Sequence, residues 1–139
     1  MKHLRKTLLL TFVGLVLVVL IFPLSAFSAA TTYTKTGYVF PDLIGLGASD
    51  KISWNVSGSE IKNILVSQKG GSFLGLINIK PNGYYLKSTN VIRTEWSLTI
   101  SAPFKIFNLE KGLYKKIVEY ELKTDGKISM KIISFKKTY

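Results

Sequence analysis

Two carboxylates, Glu119 and Glu121, are the closest this sequence comes to a catalytic arrangement. On an extended strand, side chains two residues apart share a face at about 7 Å, and paired carboxylates at such separations can divide acid and base work on a glycosidic bond. Their neighbours Lys115, Lys116, Lys123 and Lys127 argue for a plainer role, a solvated face of cross-strand ion pairs. Other chemistries lack parts. The single histidine, His3, lies at the extreme N-terminus, and there is no cysteine. The rest of the chain therefore has no imidazole for a Ser-His-Asp relay, no thiolate nucleophile and no nitrogen or sulfur metal ligand. It also shows no calcium-loop spacing of aspartates and no phosphate-cradling glycine loop, and Gly70-Gly71 reads as a hairpin turn. The expectation is a protein that is not an enzyme, with no catalytic residue, no cofactor and no metal.

One modification signal is present. Asn55-Val56-Ser57 fits the acceptor pattern for N-glycosylation. Asn55 alternates with Trp54 and Val56, so burial of those two turns the Asn55 side chain to solvent. The aromatic residues Trp54, Trp96, Tyr84 and Tyr85 could present flat faces to sugar rings, but both tryptophans are in phase with aliphatic strand neighbours, which favours core packing. Tyr84 and Tyr85 are adjacent and point to opposite faces if extended, leaving one exposed.

The N-terminus has the order of a secretory signal. Lys2, Arg5 and Lys6 form a basic head, Leu8 to Phe22 an uncharged apolar run, and Pro23 is followed by the small-residue tract Ser25-Ala26-Phe27-Ser28-Ala29-Ala30. Cleavage after Ser28 or after Ala30 places small side chains at both positions a signal peptidase requires; cleavage after Ala29 would place Phe27 in one of them. Residues 1–30 are thus expected to be a hydrophobic signal helix. The alternative is an uncleaved anchor, because extension to Phe27 reaches the length of about 20 residues that spans a bilayer. In both cases the basic head stays cytoplasmic and the remainder is delivered outside. The sequence shows no second segment of spanning length and no cysteine to carry a lipid.

The 109 residues after Ala30 are enough for one domain with a single core, and without cysteine that core has no disulfides to support it. Strand signals run through them. Tyr33 to Phe40 is rich in β-formers, and Ile52, Trp54 and Val56 alternate with Ser53, Asn55 and Ser57. Gly58-Ser59 turns the chain into Ile61 to Gln68, and Phe73 to Ile79 precedes Pro81-Asn82-Gly83, a turn signal. Tyr84 to Lys87, Arg93 to Ile100, and Phe104 to Leu109 follow as strands. Val118 to Leu122 and Ile128 to Phe135 close the chain around Asp125-Gly126, read as a two-residue hairpin turn, and a phase slip at Ile132-Ile133 predicts a bulge. The prediction is all-β: an antiparallel β-sandwich of about eight or nine strands over residues 31–139, because one open sheet would leave an apolar face wet.

Part of this pattern resembles a known family. Asp50-Lys51-Ile52-Ser53-Trp54-Asn55-Val56-Ser57-Gly58-Ser59 with the strand Ile61 to Gln68 is similar to the early strand pair of GOLD-like (Golgi dynamics) domains. Trp96 to Ile100, Pro103 to Asn108 and Lys116 to Leu122 are similar to that family's closing strands, and the likeness covers about two thirds of the exported part. The resemblance implies a β-sandwich and a protein-binding habit. The family's cargo receptors also carry a coiled coil and a C-terminal membrane span, which this sequence lacks, so a receptor role is not implied.

The exported part carries sixteen basic residues against eight acids, a net charge of +8, of which Lys111 to Tyr139 contributes about +5. Charged edge strands deter sheet aggregation, and lysines that alternate with core residues do not make a nucleic-acid stripe. Two function classes follow. One is an interaction module that binds a protein, glycan or anionic envelope component. The other is a structural surface protein that self-assembles through exposed strand edges. The membrane is expected to be a partner only through residues 1–30, if uncleaved.

Overall fold

A computed structural model describes residues 29–40, 46–102 and 110–139. Eight strands account for most of them: β1 Thr31–Tyr38, β2 Ser49–Ser57, β3 Glu60–Lys69, β4 Gly71–Phe73, β5 Ile77–Ser88, β6 Val91–Ile100, β7 Gly112–Leu122 and β8 Ile128–Lys137. They form two antiparallel sheets, ordered β1-β2-β3 and β4-β5-β6-β7-β8. Among the described residues there is no helix. Residues 1–28 of the expected signal and the predicted strand Phe104 to Leu109 lie outside the described residues.

Alternation explains why the sheets meet. Ile52, Trp54 and Val56 of β2 are buried, as are Ile92, Trp96, Leu98 and Ile100 of β6 and Val118, Tyr120 and Leu122 of β7. Each set occupies every second position, so each sheet has one apolar face. With Ile77 and Ile79 of β5 these faces form one shared core in a sandwich-like arrangement. Trp54 and Trp96 are both fully buried within it.

Three sequence readings need correction. Pro81-Asn82-Gly83 does not turn the chain: β5 runs through it, with Pro81 opposite Trp96, Gly83 opposite Glu95 and Asn82 the extra residue of a bulge. Proline is tolerated there because Pro81 lies beyond the stretch of β5 that pairs with β4, where no ladder bond needs its missing N–H. The predicted strands Phe73 to Ile79 and Tyr84 to Lys87 change accordingly. The first is a hairpin with Leu74 and Gly75 at φ 48° and 67°, and the second is the end of the long β5. Gly70-Gly71 is not a hairpin turn either, since it carries the chain from β3 in one sheet to β4 in the other. A Cβ on Gly71 would stand 1.7 Å from the carbonyl oxygen of Leu46, so this crossing admits no side chain.

The β7–β8 hairpin also differs in detail. Its loop holds three residues, Thr124, Asp125 and Gly126, closed by bonds from Lys123 N to Lys127 O (3.0 Å) and Gly126 N to Lys123 O (3.2 Å), with Gly126 at φ 81°. The predicted bulge in β8 is present: Ile117 pairs with Ser134 and Val118 with Ile132, leaving Ile133 unpaired. In β3, Asn63 at φ 52° lies at a further bulge, where Ser53 pairs with Leu65 and Asn55 with Lys62.

Candidate functional site

Asp50 begins the inward-facing series of β2 that continues through Ile52, Trp54 and Val56, and it is fully buried. Its Oδ2 accepts hydrogen bonds from Thr94 Oγ1 at 2.7 Å, Tyr120 Oη at 2.8 Å and Trp96 Nε1 at 3.3 Å. Its Oδ1 accepts from Gln68 Nε2 at 3.1 Å. Four donors on three strands thus offset the cost of taking a carboxylate out of water. Burial, then the charge and hydrogen bond of Asp50, pushes the Tyr120 phenol well above its ordinary value, so it stays a donor. The three bonds to Oδ2 tie the two sheets together, and the bond from Gln68 ties β2 to its own neighbour β3. Sequence reasoning did not single out Asp50, although its parity with Ile52 and Trp54 was a usable signal.

Lys116 departs from the sequence reading that placed it on the solvated face beside Glu119 and Glu121. It shares parity with Tyr114 and Val118 and is buried. Its Nζ donates to the Val39 carbonyl and stands 4.4 Å from the centre of the Phe40 ring.

The two carboxylates stand in different surroundings. Glu119 Oε2 is 2.8 Å from Arg93 Nε and 3.2 Å from Lys87 Nζ. These cations, Arg93 foremost, hold the Glu119 carboxyl below the usual carboxylate range. Glu121 lies opposite Val91 and Ser129. Among the described residues, no three His, Cys, Asp or Glu side chains converge in a way that could hold a metal ion.

Asn55 lies in β2, the middle strand of its sheet, on the face away from the buried Trp54 and Val56, and its Oδ1 accepts from Thr32 Oγ1 at 3.0 Å. Both tryptophans are inside and present no ring to solvent. Tyr84 and Tyr85 are both exposed, one more than expected. They pair with Thr94 and Arg93 on opposite faces, so the inward-facing Tyr84 lies where β5 reaches past the cover of the smaller sheet.

A concave region lies at one end of the molecule. The β2–β3 turn, the β5–β6 turn and the β7–β8 hairpin enclose an open cleft of about 860 Å³. Its lining mixes apolar surface from Ile61 and Leu122 with polar groups of both signs: Ser59, Thr89, Thr124 and Asn90 contribute hydroxyls and an amide, Glu60, Glu121 and Asp125 carboxylates, Lys62 and Lys123 ammonium groups. Its walls are tied to the core. Trp54 Nε1 donates to Lys123 O at 3.2 Å, and Asn90 O accepts from Leu122 N at 2.8 Å. The Tyr33 ring, 5.6 Å from that of Trp54, packs so closely on Gly126 that a Cβ there would approach to 2.3 Å. A pre-formed cleft lined by loops on a rigid scaffold is a common setting for recognition. Comparison with protein-family models, with curated proteins and with solved structures finds no match.

Proposed function

We propose that this chain is an exported, non-enzymatic interaction module whose loop-end cleft binds a polar protein or glycan partner. The observation that carries this reading is the cleft itself. Its hydroxyl, amide and charged groups stand on turns anchored by Trp54 and Asn90, so donors and acceptors are positioned before a partner arrives. The three carboxylates in its lining make an anionic envelope polymer a poorer fit there than on the lysine-bearing outer face of the larger sheet. The likeness to GOLD-like domains supports a protein partner, and the leader supports action outside the cytoplasm.

The test is capture of envelope material by the purified protein, with and without Ser59→Arg and Thr124→Arg, which fill the cleft from exposed turns. Retention that is lost in both variants supports the reading, and protease or glycosidase treatment of the captured material assigns its class. Undiminished retention by the variants removes the cleft from the binding surface.

One observation favours the second reading, self-assembly through strand edges: the outer strand β8 exposes Met130, Ile132, Ile133 and Phe135.

A further inference from the structure

We infer that β8 is the docking edge for a second copy of this chain, paired antiparallel about a two-fold axis between Ile132 and Ile133. This rests on the edge-assembly reading and gives it the form of a closed dimer.

The choice of edge rests on what each outer strand exposes. Each of β1, β3 and β4 shows a single large apolar residue, Tyr38, Leu65 and Phe73 respectively. On β8 there are four, with Met130 43%, Ile132 50%, Ile133 37% and Phe135 43% exposed. No strand among the described residues lies beyond β8. A ten-residue ladder edge with this apolar content is a template for another strand.

The choice of occupant rests on the bulge. Met130 lies opposite Tyr120 and Phe135 opposite Lys116, and both of those β7 residues point inward, so Met130 and Phe135 share a face. In an unbroken strand, residues five apart would point to opposite faces. The extra residue Ile133 makes the two ends of β8 agree in face when the strand is turned about its own centre. In that register Met130 meets the partner's Phe135, Lys131 the partner's Ser134, and Ser129 the partner's Lys136. Apolar residues meet at the centre of one face, with Ile128 opposite the partner's Lys137 at its ends, and on the other face each lysine meets a serine.

Charge points the same way. Within one chain Lys136 lies directly opposite Lys115, an unfavourable cross-strand pair. Pairing places Lys136 beside the partner's Ser129, whose own β7 neighbour is Glu121. Lys137 is occupied by Glu110 at 2.7 Å. Edge lysines ordinarily discourage pairing, but this register sets no lysine directly against another. A two-fold pair of this kind is isologous and consumes both β8 edges, so it closes.

The test is sedimentation equilibrium of the intact protein from low to high micromolar concentration, joined to disulfide trapping. The expected result is a monomer–dimer equilibrium, shifted to monomer by Ile132→Lys, whose site is half exposed and whose thermal melting should match the parent. The chain has no cysteine, so Ser129→Cys with Lys136→Cys introduces the only thiols. Within one strand these lie more than about 20 Å apart and cannot bridge, whereas across the two-fold axis they should give a covalent dimer. Ser129→Cys with Ser134→Cys should not. A monomer at every concentration overturns both the dimer and the edge-assembly reading. Open-ended assemblies, or equal trapping by the control pair, overturn the closed pairing while leaving edge assembly standing.

Discussion

Asp50 on β2 and Tyr120 on β7 meet in the core at 2.8 Å, carboxylate to phenol, and join the two sheets by a bond with no water access. Thr94, Trp96 and Gln68 donate to the same carboxylate, so its removal strands several donors at once. Asp50→Ala should cost about 3–5 kcal/mol, because each donor left unsatisfied in the core costs about 1–3 kcal/mol and Trp96 Nε1 keeps Thr94 Oγ1 as a second acceptor. Urea denaturation measures it, and a loss below about 1 kcal/mol would show that the sheets hold together without this tie.

Trp96→Ala should cost about 3–5 kcal/mol through lost burial and a residual cavity. Because Trp96 and Asp50 share a hydrogen bond, the double variant should lose less than the two single losses added. Strict additivity in the same denaturation series would argue that they act separately.

Tyr120 gives the alkaline limb of stability its sign. Burial and Asp50 raise its folded-state pKa above the unfolded value of about 10. Its contribution is therefore intact below pH ~10 and is lost as pH rises beyond that, where only the unfolded chain releases the proton. Tyr120→Phe should cost about 1.5–3 kcal/mol at neutral pH and flatten the decline of melting temperature above pH ~10. An unchanged slope would assign that decline to other groups.

Leu74 holds φ 48° beside Gly75 in the exposed β4–β5 turn. Two positive φ values at the centre of a turn closed by Leu76 N to Phe73 O (2.8 Å) favour Asn-Gly over Leu-Gly. Leu74→Asn should raise stability by about 0.5–1 kcal/mol, read as a higher melting temperature.

The leader predicts a new N-terminus at Ala29 or Thr31 on exported material, and N-terminal sequencing checks it. Either cut leaves β1 whole, since that strand begins at Thr31. A full-length membrane-bound product would establish the anchor instead. On the same material, intact mass compared with Asn55→Gln tests the acceptor. In a glycosylating host the parent should carry added glycan mass that Asn55→Gln lacks. An unmodified mass leaves Asn55 as the polar strand residue that accepts from Thr32.

The sequence by itself determined the all-β class, both buried tryptophans and the β8 bulge, because strand period is a local property: Ile52, Trp54 and Val56 face one way whatever lies across from them. The parity of Asp50 and Lys116 was equally legible, but polarity outweighed it, since a lone charge is normally kept in water. Only the tertiary structure decided otherwise, by supplying Thr94, Trp96, Tyr120 and Gln68 to one and the Val39 carbonyl and Phe40 ring to the other. Pro81 and Gly70-Gly71 show the same division. Chain-breaking residues mark places where the ladder is interrupted, yet whether the interruption is a turn, a bulge or a passage between sheets depends on neighbours far along the chain, such as Trp96 and Leu46. The loop-end cleft is tertiary for the same reason: its three turns are distant in sequence and meet only because the two sheets share a core.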